Sequence, residues 1–200
     1  MNHCANDTIV QSILKSSIID DQMKRPRVGI SRCLIGDEVR YDGTHRLDER
    51  VIELLGPHVE WVAVCPEVEI GMGTPREPIH LVASVDGVPS MHERVRLVGV
   101  GSGEDWTERM QVWARDRARG LAALDLSGYV FKARSPSCGI DHVVVQAVDG
   151  ERQGRGLFAQ ALIDALPDLP VTDEASLADP GARAGFLERV LRHHADRSSG

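Results

Sequence analysis

The sequence predicts an α/β fold: a single domain with a mostly parallel, Rossmann-like sheet flanked by helices, plus a small hairpin or edge-strand pair. Short apolar runs typical of buried strands alternate with amphipathic helical segments, which is the pattern of parallel βαβ units. The chain has 200 residues, 42% of them hydrophobic and 26% charged, a size and composition that favour one domain with a full core. Weak patterning at both ends divides the chain into a peripheral N-terminal arm (1–24), an α/β domain (25–188) and a C-terminal tail (189–200).

The first part of the domain is expected to contain two strands and one helix. Arg27–Ser31 and residues 59–64 are short apolar segments typical of buried strands. Between them, apolar residues at helical spacing predict a helix over residues 47–55, ended by Gly56-Pro57. The loop at 34–46 is rich in Gly, Asp and Arg without periodicity, which indicates a functional loop.

The rest of the domain shows the same alternation. A hairpin or pair of edge strands is predicted at residues 79–85 and 94–98, joined by a turn at 86–90. Further strands are predicted at 129–131, 143–148 and 170–172. Helices are predicted at 106–124, 157–166 and 180–193, with another helical stretch starting at Asp173.

Charge and hydropathy restrict the partners. The net charge of -7 argues against a broad nucleic-acid or anionic-membrane surface, so we expect a small-molecule substrate. No apolar run approaches the roughly 20 residues that a membrane-spanning helix needs. Asn6, Asp7, Gln11 and Lys15 interrupt the apolar stretch that a signal peptide would require. A cytoplasmic location is therefore expected, where thiols stay reduced.

Three cysteines follow predicted strands. Cys33 and Cys65 come just after the first two strands, and Cys138 lies in a Pro- and Gly-stiffened turn after the strand at 129–131. Cys33 and Cys65 are one βαβ unit apart, so adjacent parallel strands would bring both sulfurs to one edge of the sheet, where α/β folds bind ligands. Cys4 lies in the N-terminal arm, far from any strand end, and is expected to be incidental.

This cysteine set suits a soft metal centre. The sequence has no C-x-x-C pair of the kind that marks zinc ribbons and bacterial ferredoxins. Three thiolates without a fourth ligand fit either an iron-sulfur cluster with one open iron or a zinc ion with water in its fourth position. The absence of histidine from the three motifs favours an iron-sulfur cluster over zinc.

Polar side chains accompany the cysteines. Glu67 follows Cys65 by two positions and is a candidate general base beside a metal. Asp42, in an Asp-Gly turn, is either a turn-capping carboxylate or a second candidate. Ser135 supplies a hydroxyl three positions before Cys138.

Two further segments give weaker signals. Arg76 and Glu77 either pair with each other or frame a pocket. The glycine-flanked start of the helix at 157–166 is weak evidence for an anion site.

The motifs taken together resemble the thiouracil desulfurase family. The resemblance rests on residues 31–36 with 39–43, on Cys65-Pro66-Glu67 with Pro75-Arg76, and on the segment 132–139, Lys-Ala-Arg-Ser-Pro-Ser-Cys-Gly. Residues 154–159 and 177–180 are also similar to later segments of that family. The resemblance extends over residues 27–186, most of the chain.

The resemblance implies a 4Fe-4S cluster held by Cys33, Cys65 and Cys138 with one open iron. It also implies non-redox removal of sulfur from a thiocarbonyl compound such as 2-thiouracil, which releases sulfide and leaves the oxo product. The partner would be a thiolated nucleobase or a related thio-compound.

In this chemistry Glu67 would activate a water and Ser135 would hydrogen-bond the substrate or a cluster sulfide. Asp42 would orient the pyrimidine ring or relay a proton. The choice between Glu67 and Asp42 as the base stays open.

Other classes of protein also fit these residues. The thiolates could hold zinc or a cluster with a structural or regulatory role, or the chain could be a metal-free thiol hydrolase. The sequence predicts no particular oligomeric state.

Overall fold

The computed structural model describes residues 25–84 and 94–198. The predicted arm at 1–24 and the predicted turn at 86–90 lie outside the described residues. Within those ranges the strands are β1 (Arg27–Ser31), β2 (Glu60–Val64), β3 (Ile79–Ser84), β4 (Arg94–Gly99), β5 (Leu126–Phe131), β6 (Val143–Ala147), β7 (Gly150–Gly154) and β8 (Val171–Asp173). The helices are α1 (Glu49–Leu55), α2 (Pro66–Glu69), α3 (Thr107–Ala123), α4 (Leu157–Ala165) and α5 (Pro180–Ser198).

The first sheet is entirely parallel and carries the cysteine motifs. Its strand order is β2-β1-β5-β8, and β1 pairs with β2 from Arg27 opposite Glu60 to Ser31 opposite Val64. On its other side β1 pairs with β5, with Gly29 opposite Tyr129. The chain leaves β1 in one direction to form β2 and returns on the opposite side to form β5. Such a reversal of strand order opens a crevice at the carboxyl ends of the strands.

The predicted hairpin is half of a second sheet. Strands β3 and β4 pair antiparallel, β3 pairs parallel with β6, and β6 pairs antiparallel with β7, which gives the order β4-β3-β6-β7. The sequence did not predict β7, because its residues Gly-Glu-Arg-Gln-Gly contain no apolar side chain and lie exposed or half-buried.

Two apolar layers enclose the parallel sheet. On one face Tyr129 and Phe131 pack with residues of α3, α4 and the second sheet. On the other face Val28, Ile30 and Val130 pack with residues of α1 and α5. Alternate residues of a strand point to opposite faces, so β5 contributes to both cores. The predicted α/β fold class is confirmed by this architecture.

The C-terminal helix is longer than the sequence predicted. Helix α5 continues to Ser198, beyond the predicted helix end at residue 193. Val190 is buried and Leu191 packs against the same core, which holds the second half of this helix on the sheet. The helical stretch predicted from Asp173 is instead a short 3-10 turn, Ser176–Ala178, whose Ser176 N–H donates to the Asp173 carboxylate over 2.7 Å.

In the part of the chain that the structure describes, none of the helices combines the length and apolar character needed to cross a bilayer.

Candidate active site

The three predicted cysteines line one cavity at the carboxyl edge of the parallel sheet. The cavity has a volume of about 310 Å³. Its walls come from four parts of the chain: residues 31–33 after β1, the loop at 39–46, residues 64–67 with 76–79, and the loop 132–138 after β5. Cys33, Cys65 and Cys138 follow β1, β2 and β5, which are neighbours in the sheet. The parallel topology therefore brings together residues from distant parts of the sequence.

Cys65 is held by the start of α2. It is the N-cap of this short helix, and its backbone N–H donates to Glu69 Oε1 over 3.2 Å. Its thiol lies 3.9 Å from the Val39 carbonyl oxygen, to which it donates. The loop that carries Val39 therefore closes over Cys65.

Cys138 is held by a compact turn. The Ser135 hydroxyl oxygen accepts the backbone N–H groups of Cys138, over 3.1 Å, and of Ser137, over 3.3 Å. The Gly139 N–H donates to the Ser135 carbonyl over 2.8 Å. Ser135 thus fixes the turn with both its side chain and its backbone, and it lines the cavity as well.

The first turn of α4 supports this loop from behind. The N–H groups of Phe158 and Ala159 donate to the Ser137 carbonyl over 3.0 and 3.1 Å, and the Leu157 N–H donates to the Pro136 carbonyl over 3.2 Å. These donors are the ones that an anion at this helix end would use. The structure therefore gives the glycine-flanked start of α4 a structural role in place of the anion site considered from the sequence.

Burial raises the pKa of all three thiols. For Cys33 it acts together with the nearby Cys65 and raises the pKa to about 12. Burial likewise raises the pKa of Cys65 and raises that of Cys138 well above its ordinary value. Three thiolates this close need a positive partner, because buried like charges disfavour one another. The site is chemically suited to a cationic centre with sulfur ligands.

Glu67 is fixed in the cavity wall by two side chains. Arg76 donates to Glu67 Oε2 through Nε, over 3.1 Å, and through Nη2. The Ser137 hydroxyl donates to Glu67 Oε1 over 2.5 Å. Arg76 is itself anchored, because its Nη1 donates to the carbonyls of Val39, over 3.0 Å, and Gly73, over 2.8 Å. The carboxylate is therefore held in one orientation at the cavity.

The structure decides between the two roles considered for Arg76 and Glu77. Arg76 pairs with Glu67 and lines the cavity. Glu77 instead accepts the N–H groups of Gly101, over 2.7 Å, and Ser102, over 2.9 Å, at the loop after β4. Arg76 therefore frames the pocket, whereas Glu77 fixes the loop that follows β4.

Asp42 lies outside the cavity wall. Its carboxylate accepts the Thr44 N–H over 3.1 Å and the Thr44 hydroxyl over 2.6 Å, and these bonds hold its pKa below the ordinary value. Its neighbours Arg40 and Tyr41 line the cavity, and Arg40 Nε lies 3.7 Å from the carboxylate. The structure brings Glu67 and Ser135 to the cysteines, and it connects Asp42 to the cavity through Arg40.

Three residues that the sequence did not predict to be catalytic or ligand residues also organise the cavity. Ser137 holds Glu67, as described above, and its position next to Cys138 was the available signal. The Ser31 hydroxyl accepts the Lys132 N–H over 2.9 Å, which joins the ends of β1 and β5. The Lys132 ammonium pairs with Glu174 after β8, a contact that no local pattern encodes.

Comparison with known proteins identifies the family. The family described as 2-thiouracil desulfurase matches residues 28–174, a range that includes all three cysteines of the cavity. The chain is 31% identical over 134 residues to the uncharacterized protein YbbK of Bacillus subtilis (strain 168), covering 66% of this chain and 87% of that protein. It is also similar to the solved structure of a 4Fe-4S-dependent thiouracil desulfidase, TudS.

The TudS match has a TM-score of 0.59 and 26% sequence identity, and it covers 81% of this chain and 99% of that one. These findings confirm the resemblance that the sequence motifs indicated. The chain therefore belongs to the 2-thiouracil desulfurase family and is an enzyme that acts on a C=S bond.

Proposed function

We propose that this protein removes sulfur from a thiolated pyrimidine such as 2-thiouracil, or from a related thio-compound, with a 4Fe-4S cluster bound by Cys33, Cys65 and Cys138. The observation that carries the proposal is the convergence of these three cysteines on one cavity beside a fixed carboxylate. TudS is a 4Fe-4S-dependent enzyme, and this similarity supports the same cofactor here. Because free thiols and such a cluster need reducing conditions, we place the enzyme in the cytoplasm.

The donor set fits an iron-sulfur cluster. The three side chains are soft sulfur ligands, and the described residues that line the cavity include no histidine. Within residues 25–84 and 94–198, no three His, Cys, Asp or Glu side chains form a group that could hold a metal ion. A cluster distributes its cysteines over separate irons, so it suits ligands spread around a cavity. Three cysteines leave one iron of a four-iron cluster without a protein ligand.

When bound, such a cluster supplies a Lewis acid that attracts the thiocarbonyl sulfur and polarises the C=S bond. The net reaction adds water to the thiocarbonyl and gives a carbonyl and hydrogen sulfide, with no transfer of electrons to or from the protein.

Glu67 acts as the general base. A water beside its carboxylate would lose a proton to Glu67 as the water oxygen forms a bond to the thiocarbonyl carbon. Arg76 and Ser137 keep the carboxylate oriented during this step, since each binds one of its oxygens. We assign the base to Glu67 in preference to Asp42 because Glu67 lines the cavity.

Ser135 and Asp42 orient the substrate. The Ser135 oxygen already accepts two backbone N–H groups and lies 3.1 Å from the Ser137 hydroxyl oxygen. Because the Ser137 proton goes to Glu67, Ser135 donates its own proton to Ser137 and would redirect it to a substrate heteroatom or a cluster sulfide that enters the cavity. Asp42 acts from outside the cavity by holding Arg40, which lines it. On this assignment, loss of Glu67 lowers kcat, whereas loss of Asp42 raises KM.

The test compares wild type with Glu67→Gln after anaerobic purification. Both proteins should be brown, with broad absorption near 400 nm and matching iron and sulfide contents. Sulfide release from 2-thiouracil should fall about 10²–10⁴-fold in Glu67→Gln, the usual contribution of a general base. Glu104→Gln is the matched control because Glu104 is exposed and does not line the cavity.

Two results would contradict the proposal. A colourless anaerobic preparation with stoichiometric zinc would favour a zinc-binding protein with a structural or regulatory role. Unchanged turnover in a cluster-loaded Glu67→Gln variant would remove Glu67 from the role of base.

A further inference from the structure

Tyr41 is an exposed aromatic side chain in the wall of the cysteine cavity. Residues 25–84 and 94–198 include every Trp, Phe and Tyr of the chain, and among them only Tyr41 is exposed. Within the same described ranges, Tyr41 is also the only aromatic residue that lines the cavity. Its ring is 41% exposed, so much of the ring surface is accessible to a ligand.

The ring of Tyr41 is oriented by its neighbour Arg40. The guanidinium carbon of Arg40 lies over the ring, 5.5 Å from its centroid, which is a cation–π contact. Arg40 is held in turn by the loop: its Nε lies 3.7 Å from the Asp42 carboxylate, and its backbone N–H donates to the Thr44 carbonyl over 3.1 Å. The loop therefore keeps Arg40 on one face of the ring.

The backbone of Tyr41 is tied to the carboxylate of Glu67. The Arg76 N–H donates to the Tyr41 carbonyl over 2.8 Å, and the guanidinium of the same arginine donates to Glu67 Oε2. Arg76 also donates to the Val39 carbonyl over 3.0 Å. Tyr41 and Glu67 thus share one anchor, which fixes the aromatic ring relative to the carboxylate in the cavity wall.

An aromatic ring at this place favours one shape of ligand. Flat conjugated rings, nucleobases included, stack on aromatic side chains through their π faces, which saturated rings and acyclic compounds lack. The other apolar residues that line the cavity are aliphatic and make no such distinction. Selection between flat and saturated rings therefore depends on Tyr41.

We propose that Tyr41 is a specificity-determining residue, on whose ring the flat heterocycle of the substrate stacks. The inference rests on the proposed function and narrows its substrate class to thiocarbonyls within planar conjugated rings, in preference to saturated or acyclic thiocarbonyls. It also explains how Asp42 affects the substrate from outside the cavity, since Asp42 holds Arg40 and Arg40 holds the ring.

The experiment compares 2-thiouracil with 5,6-dihydro-2-thiouracil, which carries the same thiocarbonyl in a partly saturated ring. The ratio of the two kcat/KM values for sulfide release is measured in cluster-loaded wild type, Tyr41→Leu and Tyr41→Phe. The ratio cancels any general loss of activity. Tyr41→Leu should lower it by about 5-fold or more, the usual contribution of stacking one base on an aromatic side chain.

Two variants serve as comparisons. Tyr41→Phe keeps the ring and loses only the hydroxyl, so this conservative variant should retain the preference for 2-thiouracil. Leu54→Ala is the matched control outside the site, because Leu54 is an exposed apolar side chain on α1 that does not line the cavity. It should leave the ratio unchanged.

A second measurement uses binding without turnover. Isothermal titration calorimetry under anaerobic conditions compares uracil, the oxo product, with 5,6-dihydrouracil. Loaded wild type should bind uracil more tightly, and Tyr41→Leu should lose this preference while its iron content equals that of wild type. The wild-type comparison alone tests the inference if Tyr41→Leu does not fold.

The outcomes separate this inference from the proposed function. If wild type desulfurates 2-thiouracil while Tyr41→Leu keeps the wild-type ratio, or if wild type binds uracil and dihydrouracil equally, the role of Tyr41 is overturned and the proposed function stands. If loaded wild type releases sulfide from neither thio-compound, the proposed function fails and the inference fails with it.

Discussion

Replacing Gly156 by alanine should displace the loop that carries Cys138. A Cβ at Gly156 would lie 2.5 Å from the Ser137 carbonyl carbon and oxygen and 2.8 Å from the Cys138 nitrogen. These neighbours are backbone atoms, so the turn itself must retreat by about half an ångström or more. That movement pulls on the bonds between Ser137 and α4.

The expected change in the free energy of unfolding combines two opposing effects. Overpacking against a fixed neighbour costs about 1–3 kcal/mol, and the upper part of this range applies because backbone cannot rotate away. The Gly156 backbone, with φ -65° and ψ 145°, is accessible to alanine. Alanine also reduces the conformational freedom of the unfolded chain, which stabilises the folded protein by about 0.4–1 kcal/mol. Gly156→Ala should therefore lower the free energy of unfolding by about 2 kcal/mol.

Gly120→Ala is the control for this experiment. Gly120 lies exposed in α3, and an added Cβ there meets no atom within 4 Å. The substitution should raise the free energy of unfolding by about 0.8–1 kcal/mol through helix propensity alone. Urea unfolding followed by tryptophan fluorescence measures both values, and iron content after reconstitution reports on Cys138. The reasoning is refuted if Gly156→Ala matches wild type in stability and in bound iron.

Two further predictions concern the rest of the domain. Asp48→Ala should lower the free energy of unfolding by about 1 kcal/mol, because the Asp48 carboxylate caps α1 by accepting the Val51 N–H over 3.2 Å; an unchanged urea midpoint would exclude this cap. In the metal-free protein, burial and Cys65 raise the pKa of Cys33 to about 12, so the neutral thiol persists well above pH 8.5. Its alkylation by iodoacetamide, followed by mass spectrometry, should keep rising from pH 7 to pH 10, and a plateau near pH 9 would contradict the raised pKa.

The sequence predicted the parallel sheet well because its signals are local. The strand Arg27–Ser31 was placed with the bounds that the structure shows, since a short apolar run flanked by polar residues marks a buried strand. The second sheet was predicted only as a hairpin. Its completion depends on β3 pairing with β6, with Leu81 opposite Val145, and no local pattern encodes a partner so distant in sequence.

The site shows the same division between local and distant signals. Three cysteines at strand ends could be predicted to meet, because parallel strands share a carboxyl edge. The contacts of Glu67 with Arg76 and Ser137 depend on the path of two loops and on side-chain rotamers. The position of Asp42 outside the cavity wall has the same cause, because the path of the loop determines where a turn residue lies.

The three cavity cysteines are separated by long stretches of chain, and Cys138 follows Cys33 by 105 positions. A C-x-x-C pair can capture a metal ion while the chain is still unfolded, since closing so short a loop loses little entropy. Here the thiols meet only after β1, β2 and β5 have paired. On the proposed function, the chain would therefore fold first and bind the cluster afterwards, in a cavity that is already formed.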